Sequence, residues 1–379
     1  MMKVKLFGMG AAGNKAAITA VELGVISLEN TVLINSTETD IPDAFKNASI
    51  IIGENNGAGK ESDLGYLMMD GAIKSGDMVE FLQSFLSEDT DAVVITAATE
   101  GGTGNGSTKR LAEFIQEEVG IPVHVHLFSG FEDDSRGLEN TIKLFNSIRP
   151  EYTVKCISNA KCLTSGNKIK AEKEANIEFC KALKVISGAT MISSSQNIDQ
   201  TDLLKLVNTP AYQLVETATI GKDVKTTEQF DKLLVSMINN SKSVDTTKGT
   251  CKRIGVILSI NPDLQDIIDF SFKAVKDIVG EPYELFTHIQ PSEDVQSVSL
   301  IISGMNLPKD EFEDVLQKYK ERTSKVHREE DPFFSNRVNL EDDGMFNSAT
   351  SNNVKKSFFQ KQVKPASGMK NLKGEIKEV

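Results

Sequence analysis

Glycine and small polar residues are concentrated in the run Gly101–Ser107, which reads GGTGNGS. Glycines lack a Cβ atom, so a phosphate can approach their backbone N–H groups closely, and Thr103 and Ser107 add hydroxyl donors. A buried-strand pattern at 92–97 precedes the run and a helical pattern from Leu111 follows it, which brings the positive end of a helix to the same place. The run predicts a phosphate site, and an ordinary tight turn is the alternative.

A second glycine cluster, Gly8–Gly13, follows the first predicted strand and matches the G-x-G-x-x-G pattern of dinucleotide-binding domains. That pattern expects an acidic residue at the end of the next strand, where this sequence has Asn35. A P-loop is disfavoured, because its pattern requires Gly-Lys followed by Ser or Thr. Asn14 separates Lys15 from Gly13, and the residue after Gly59-Lys60 is Glu61. With a third cluster at Gly57-Ala58-Gly59, three loops would meet at the carboxyl ends of parallel strands, which favours a nucleoside di- or triphosphate.

The first half of the chain alternates strand and helix patterns, which predicts an α/β fold with a parallel-sheet nucleotide-binding domain at 1–166. A long central helix is predicted at 167–192 and a smaller second α/β domain at 193–328. Beyond 329 the sequence is polar and aperiodic, which predicts a disordered C-terminal tail at 329–379. The strands are predicted at 4–7, 31–34, 91–96, 123–128, 152–157, 254–260, 284–287 and 297–302. Further helices are predicted at 14–23, 111–118, 137–148, 202–207, 264–279 and 309–320.

The composition is that of a soluble globular protein, with 39% hydrophobic and 25% charged residues. No apolar run is long enough to span a membrane, so a cytoplasmic protein is expected. The four cysteines have neither disulfide nor zinc spacing and are predicted to be buried thiols. The strand at 123–128 carries His124 and His126, which we interpret as part of a packed strand face rather than as a metal pair.

The tail from Val354 to Val379 contains seven lysines and two glutamates, whereas the whole chain has a net charge of −12. A solvated tail is one interpretation. The interleaved apolar residues Phe358, Phe359, Leu372 and Ile376 favour a contact with an acidic partner.

The glycine run resembles the signature loop of the tubulin and FtsZ superfamily of GTP-binding cytoskeletal proteins. Further segments agree with that family in order and spacing over about residues 3 to 325. Gly8–Asn14 resembles its first phosphate loop, Asn35 begins a segment like its second loop, and Gly57–Gly59 resembles its third. The resemblance implies these nucleotide-binding residues: Gly10, Ala11, Ala12, Asn14, Asn35, Gly57, Ala58, Gly59, Gly101, Gly102, Thr103, Gly104, Asn105, Gly106, Glu132, Arg136, Asn159 and Asn176.

The segment from Asn197 to Asp202 reads NIDQTD and fits the N-x-D-x-x-D pattern of the family's synergy loop, which follows the central helix. In the family, this loop completes the hydrolytic site of the neighbouring subunit. The resemblance thus implies that Asp199 and Asp202 are catalytic and that Asn197 holds the loop. Residue types alone favour a different interpretation, in which Asp199 is a helix N-cap and Asp202 a first-turn acid stabilised by the helix dipole. The family resemblance is what favours the catalytic role.

Some positions depart from the FtsZ pattern. The residue before the signature loop is Glu100 where FtsZ has glycine, the loop contains Asn105, and Ile177 follows Asn176 where FtsZ has aspartate. With its basic tail, the chain is most similar to the TubZ branch, which is encoded by plasmids and phages.

This resemblance implies GTP or GDP with Mg²⁺ as ligands, with Glu132 and Arg136 at the ribose and neighbouring phosphate, and Asn14, Asn159 and Asn176 at the base. No dedicated metal-ligating residues are expected. The partners implied are further copies of the chain in a filament and a TubR-like DNA-binding adaptor bound by the tail, so that DNA is moved indirectly and no membrane is involved. The alternatives are an FtsZ-like division GTPase, an NAD-dependent oxidoreductase built on Gly8–Gly13, and an adaptor that binds nucleotide without turnover.

Overall fold

The computed structural model describes residues 2–189, 191, 198–246, 249–292 and 294–326. Within them lie ten strands, whose bounds are Val4–Met9 (β1), Thr31–Asn35 (β2), Ser49–Ile51 (β3), Ala92–Ala98 (β4), Val123–Ser129 (β5), Thr153–Ser158 (β6), Ala211–Thr219 (β7), Arg253–Ile260 (β8), Glu284–Pro291 (β9) and Ser297–Met305 (β10).

Twelve α-helices lie in the same described part of the chain. Their bounds are Gly10–Glu22 (α1), Ser62–Lys74 (α2), Asp77–Phe85 (α3), Thr103–Phe114 (α4), Ser135–Asn146 (α5), Asn159–Cys162 (α6), Lys168–Ile186 (α7), Gln200–Val207 (α8), Thr227–Asn239 (α9), Pro262–Gln265 (α10), Lys273–Val279 (α11) and Lys309–Val326 (α12). Two short 3-10 helices, at Leu28–Asn30 and Asp43–Ala48, and a short π-helix at Ile115–Val119 complete these elements.

All ten strands form one sheet in the order β3-β2-β1-β4-β5-β6-β7-β10-β8-β9. Strands β1 to β6 are parallel to their neighbours, whereas β10 runs antiparallel to both β7 and β8. Helices cover both faces, so the parallel strands are apolar on both sides: Leu6 packs into one buried cluster and its neighbour Phe7 into the other. The carboxyl ends of β1 to β6 share one edge, which we call the carboxyl edge, and the opposite side is the amino edge.

The two halves of the sheet meet at a short junction. Strands β6 and β7 pair only through Thr153 with Ala211 and Val154 with Tyr212. Beyond this pair, the Lys155 ammonium enters the gap and donates to Ser243 Oγ at 2.8 Å, and its burial lowers the pKa of Lys155. The narrow junction agrees with a change of architecture after β6, while the domain boundaries predicted from the sequence stay predictions.

The α/β fold with a mostly parallel sheet is confirmed, and the predicted strands agree with observed strands to within three residues at most ends. The helix predicted at 264–279 is wrong, because the chain forms α10 and α11 there. Between these helices, the Asp269 carboxylate accepts the Ser271 N–H at 2.9 Å and Phe272 adopts a left-handed φ of 48°, which a continuous helix does not allow. The sequence interpretation also missed β3, α2, α3, α6, β7 and α9.

The central helix is confirmed as α7, although it ends at Ile186 rather than at 192. Residues 192–197, including Asn197, and the tail predicted at 329–379 lie outside the described residues. The four cysteines are buried free thiols, as the sequence predicts. None of the helices in the described ranges combines the length and apolarity needed to cross a bilayer.

Candidate functional site

The first, second, third and signature loops come together at the carboxyl edge. The Gly57 N–H donates to the Ser36 carbonyl at 3.0 Å, which joins the third loop to the second. A Cβ on Gly10 would lie 2.7 Å from the Gly104 backbone nitrogen, so the first loop touches the signature loop. A Cβ on Gly102 would lie 2.7 Å from the Glu61 nitrogen, which brings the third loop against the same run. The four loops therefore form one continuous surface.

Glycines in the signature loop are required mainly by this close packing. A Cβ on Gly104 would lie 2.6 Å from the Met9 carbonyl oxygen, and one on Gly106 would lie 1.9 Å from the Ser62 carbonyl oxygen. In contrast, among the described residues no heavy atom other than those of Gly101 and its two chain neighbours lies within 4 Å of a Cβ built on Gly101. The glycine run thus serves two purposes, since most of it lets backbones touch and Gly101 leaves open space.

Exposure separates the predicted nucleotide-binding residues of the four loops into two groups. The accessible group, exposed or half-buried, contains Ala11, Ala12, Gly57, Gly59, Gly101 and Thr103. The buried group contains Gly10, Asn14, Asn35, Ala58, Gly102, Gly104, Asn105 and Gly106. The accessible residues surround the start of α4, whose first N–H groups have no partner within the helix. Backbone donors and a helix N-terminus facing open space are suited to bind phosphate.

Side chains inside the signature run serve the loop itself. The Asn105 amide donates to the carbonyls of Thr99 and Asn140, at 2.5 and 2.8 Å. The Ser107 hydroxyl donates to the Thr103 carbonyl within α4. The Thr103 hydroxyl is hydrogen-bonded to that of Ser36 in the second loop. Of the two hydroxyls that the sequence suggested as phosphate donors, only that of Thr103 is on the accessible surface.

A buried residue that the sequence interpretation missed, Asn140 on α5, ties the loops together. Its amide donates to the carbonyls of Lys60 at 2.9 Å and Glu100 at 3.0 Å. Asn140 thus joins the third loop, the start of the signature loop and α5. Its backbone carbonyl also accepts from the Asn105 amide. No sequence signal marks it, because asparagine inside an amphipathic helix is ordinarily solvent-exposed and its partners are 40 and 80 residues away.

Glu132 and Arg136, which the resemblance predicts at the ribose, lie at the carboxyl edge between the end of β5 and the start of α5. We call residues 130–136 the ribose loop after that prediction. The Glu132 carboxylate forms an ion pair with Lys318 of α12 at 2.7 Å. The Arg136 guanidinium contacts Glu61 at 2.8 Å and Glu139 at 3.0 Å. Arg136 therefore connects the ribose loop to the residues that follow the third loop.

The three asparagines predicted at the base lie on neighbouring elements. Asn159 begins α6 directly after β6, and Asn176 is half-buried on α7. Asn14 on α1 is buried: its amide donates to the Ile34 carbonyl, while its Oδ1 has no hydrogen-bond partner among the described residues. Lys15 of α1 contacts Glu172 of α7 at 3.7 Å, so the first halves of α1 and α7 are adjacent.

The acid pair, Asp199 and Asp202, belongs to a different part of the molecule. At the carboxyl edge, α7 begins where Lys168 contacts Asp133, and at the amino edge it ends where Met2 donates to the Ser187 carbonyl. Its 19 residues span about 28 Å. After α8 the chain is again at the amino edge, because Asn208 donates to the Asp91 carbonyl. Along the chain, the acid pair is thus preceded by Ser187 and followed by Asn208, which both lie at the amino edge.

Both interpretations of the acid pair keep support. Asp199 is the N-cap of α8, since its Oδ1 accepts the Asp202 N–H at 2.7 Å. The Asp202 carboxylate is one-third exposed and its nearest cation, Lys205, is 4.0 Å away. Asp202 is therefore available for another contact, whereas Asp199 has one oxygen committed to the helix.

A dedicated metal site is not found: no group of three or more His, Cys, Asp or Glu side chains in the described ranges could hold an ion. The histidine pair has no metal-binding geometry either. His124 Nε2 is 2.7 Å from Asn208 Oδ1, and the buried His126 ring packs edge-on against Phe179.

No protein-family model matches the chain, but it is similar in sequence to a curated protein. The cell division protein FtsZ of Aquifex aeolicus (strain VF5) is 22% identical over 328 residues, which cover 82% of this chain and 84% of that protein.

Structure comparison finds longer agreement at lower identity. CetZ1 from Haloferax volcanii, a GDP-bound monomer, matches with a TM-score of 0.67 and 19% identity, over 85% of this chain and 100% of that one. TubZ of Bacillus thuringiensis serovar israelensis, in a GTPγS-form protofilament, matches with a TM-score of 0.69 and 17% identity, over 86% and 94%.

Proposed function

The chain has the fold of the tubulin and FtsZ superfamily, and from that premise we propose that it is a GTPase that assembles head to tail into filaments. The observation that carries this proposal is the placement of two chemically different sites. The glycine loops are gathered at the carboxyl edge, and the acid pair lies between two points of the amino edge.

GTP or GDP would bind against the accessible surface of the four loops. Backbone N–H groups around Gly101 and Thr103, together with Ala11 and Ala12, would donate to the phosphates. Glu132 and Arg136 would hold the ribose and neighbouring phosphate, and Asn159 and Asn176 the base, with Asn14 beneath them. The open space at Gly101 and the unpartnered Oδ1 of Asn14 fit such a ligand.

Mg²⁺ would be held chiefly by the phosphates and water, as is usual for this ion, and would neutralise charge during phosphoryl transfer.

Hydrolysis would be completed in trans. Asp202 and Asp199 of one subunit would orient a water molecule whose oxygen attacks the γ-phosphorus bound to the next subunit, while the bond to the bridging oxygen of GDP breaks. Asn197, which lies outside the described residues, would hold the loop. Such a contact joins unlike faces and does not close on itself, so it generates filaments. The match to a TubZ protofilament supports this assembly.

Variants at the amino edge test the in-trans mechanism. Asp202→Ala should leave GTP binding and assembly intact while lowering hydrolysis at least 100-fold, because the water loses its carboxylate; filaments should then persist. A matched control is Glu228→Ala, which removes another first-turn acid that pairs with a lysine on the same helix. Binding is measured by calorimetry, assembly by light scattering and hydrolysis by phosphate release. Wild-type hydrolysis in Asp202→Ala would contradict the mechanism.

Nucleotide choice has its own test, because strands β1 to β6 lie in the order β3-β2-β1-β4-β5-β6, which is that of a doubly wound dinucleotide-binding domain. Titration with GTPγS against NAD distinguishes the two classes. Saturable binding of NAD without binding of GTPγS would support an oxidoreductase instead.

The proposed biological role is movement of plasmid or phage DNA through a TubR-like adaptor bound to the basic tail. The tail's lysines and interleaved apolar residues support it. Removing residues 354–379 should abolish pull-down of the DNA-bound adaptor without changing assembly. Loss of assembly would make the tail part of the filament, and capture of a membrane-tether protein instead would favour a division role like that of FtsZ.

A further inference from the structure

Glu100, between β4 and the signature loop, is packed into a space made by two glycines. A Cβ on Gly130 would lie 1.9 Å from the Glu100 carboxyl carbon, and a Cβ on Gly137 would lie 3.1 Å from the same atom. The side chain is therefore enclosed by the ribose loop and by the first turn of α5. No other residue type at position 130 leaves room for this carboxyl group.

The enclosed carboxylate holds the backbone of the ribose loop. Glu100 Oε1 accepts the N–H of Glu132 at 2.7 Å. Glu132 has a φ of 58°, a left-handed conformation that is unfavourable for a residue with a side chain. The hydrogen bond that the Glu132 N–H donates to Glu100 offsets this cost and selects one conformation of the loop.

Burial and the charged groups around Glu100 act on its ionisation. Lys60 lies close enough to favour the carboxylate, but it is paired with Asp134 at 2.5 Å. Burial, together with Asp134 and Asp133, raises the pKa of Glu100. The Glu100 backbone is held as well, since its carbonyl accepts from Asn140. Both protonation states retain an oxygen that can accept the Glu132 N–H.

The Glu132 side chain is fixed from the opposite direction. Its carboxylate contacts Lys318, which also pairs with Asp314 on α12. Backbone and side chain of Glu132 are thus anchored separately, by Glu100 and by Lys318. One Glu132 oxygen takes the ion pair, and the second is available to accept from a ligand hydroxyl group.

We propose that Glu100 is a positioning residue that presents Glu132 to the ribose hydroxyl groups of the bound nucleotide. It acts through the backbone of Glu132 and does not touch the nucleotide itself. The inference rests on the proposed function, in which Glu132 is the ribose contact. The glycine found at this position in FtsZ has no side chain that could do the same.

The test compares GDP with 2′,3′-dideoxy-GDP by isothermal titration calorimetry on the full chain. A hydrogen bond to a charged group is worth roughly tenfold or more in affinity, so wild type should bind GDP about tenfold more tightly than the dideoxy analogue. Glu100→Ala should weaken GDP binding about tenfold while changing dideoxy-GDP binding less than twofold. A general loss of structure would weaken both ligands equally and would contradict the proposal.

Two further variants keep the test decisive if Glu100→Ala does not fold. Glu100→Gln keeps the length and an acceptor oxygen, so it should retain the preference for GDP. Glu100→Asp keeps the charge but is one methylene too short to reach the Glu132 N–H, so it should lose that preference. The reverse order would overturn the inference, as would a wild-type protein that binds both ligands equally. A wild-type protein that binds neither ligand would overturn the proposed function itself.

Discussion

The phosphate-binding surface proposed at the carboxyl edge is made of packed backbone, whereas the acid pair is made of accessible side chains. At the carboxyl edge, backbones approach so closely that Gly102, Gly104 and Gly106 have no room for a Cβ atom. The acid pair consists of accessible side chains at the start of an eight-residue helix. A surface made of packed backbone is fixed by folding, whereas acids at a helix end can change without altering the core. Substitutions should therefore damage folding at the first site and mainly turnover at the second.

The largest expected effect comes from adding one carbon atom inside the signature loop. Gly106→Ala should lower the free energy of unfolding by about 4 kcal/mol, because its Cβ would overlap the Ser62 carbonyl oxygen and backbone cannot move aside cheaply. Gly101→Ala is the matched control and should change stability by less than about 0.5 kcal/mol, since its Cβ would enter open space. Urea unfolding followed by circular dichroism measures both. Equal losses would show that packing does not distinguish these glycines.

A second, smaller effect is a loss of stability at low pH. It involves His124 of β5, which contacts the residue that follows α8. Burial lowers the pKa of His124 to about 4, and its ring contacts Asn208 directly after α8. The unfolded chain takes up a proton near pH 6.5, which the folded chain resists down to about pH 4. The contribution of His124 to the free energy of unfolding is therefore fully present above pH 6.5, and about 3 kcal/mol of it is lost between pH 6.5 and 4.

His124→Gln separates this contribution from that of the carboxylates, because glutamine does not titrate and its amide can still reach Asn208. Urea midpoints between pH 4 and 7 should show a shallower pH dependence in the variant. An unchanged slope would mean that His124 is not the group responsible.

The smallest expected effect distinguishes the two roles of Asp199. Asp199→Ala should cost about 1 kcal/mol, because α8 loses its N-cap, whereas Asp199→Ser keeps a capping oxygen and should cost less than about 0.5 kcal/mol. Both should reduce GTP hydrolysis if the carboxylate orients the water. Full hydrolysis in the stable Asp199→Ser variant would leave Asp199 with a capping role alone.

Sequence reasoning located the loops better than it described what their residues do. The strand before Gly101, the helix after it and the placement of the loops at strand ends follow from local apolar patterns, which are read within about 10 residues. The separate uses of Gly101 and Gly106 do not follow from local patterns. Whether a Cβ meets the Ser62 carbonyl or open space depends on how distant segments pack around the loop. Helix α9 and strand β7 were missed, and the helix predicted at 264–279 failed at Phe272, whose left-handed conformation carries no sequence signal.

The sequence by itself determined the alternating α/β fold, the glycine-rich loops after the strands, the long central helix and the N-x-D-x-x-D segment that follows it. These features depend on local periodicity, chain order and glycine content. Only the tertiary structure decided which loop residues face open space, that Asn140 joins the loops, and that Glu100 and Lys318 hold Glu132 from two sides. Each of these depends on contacts between residues 30 to 190 positions apart, and chain folding alone brings such residues together.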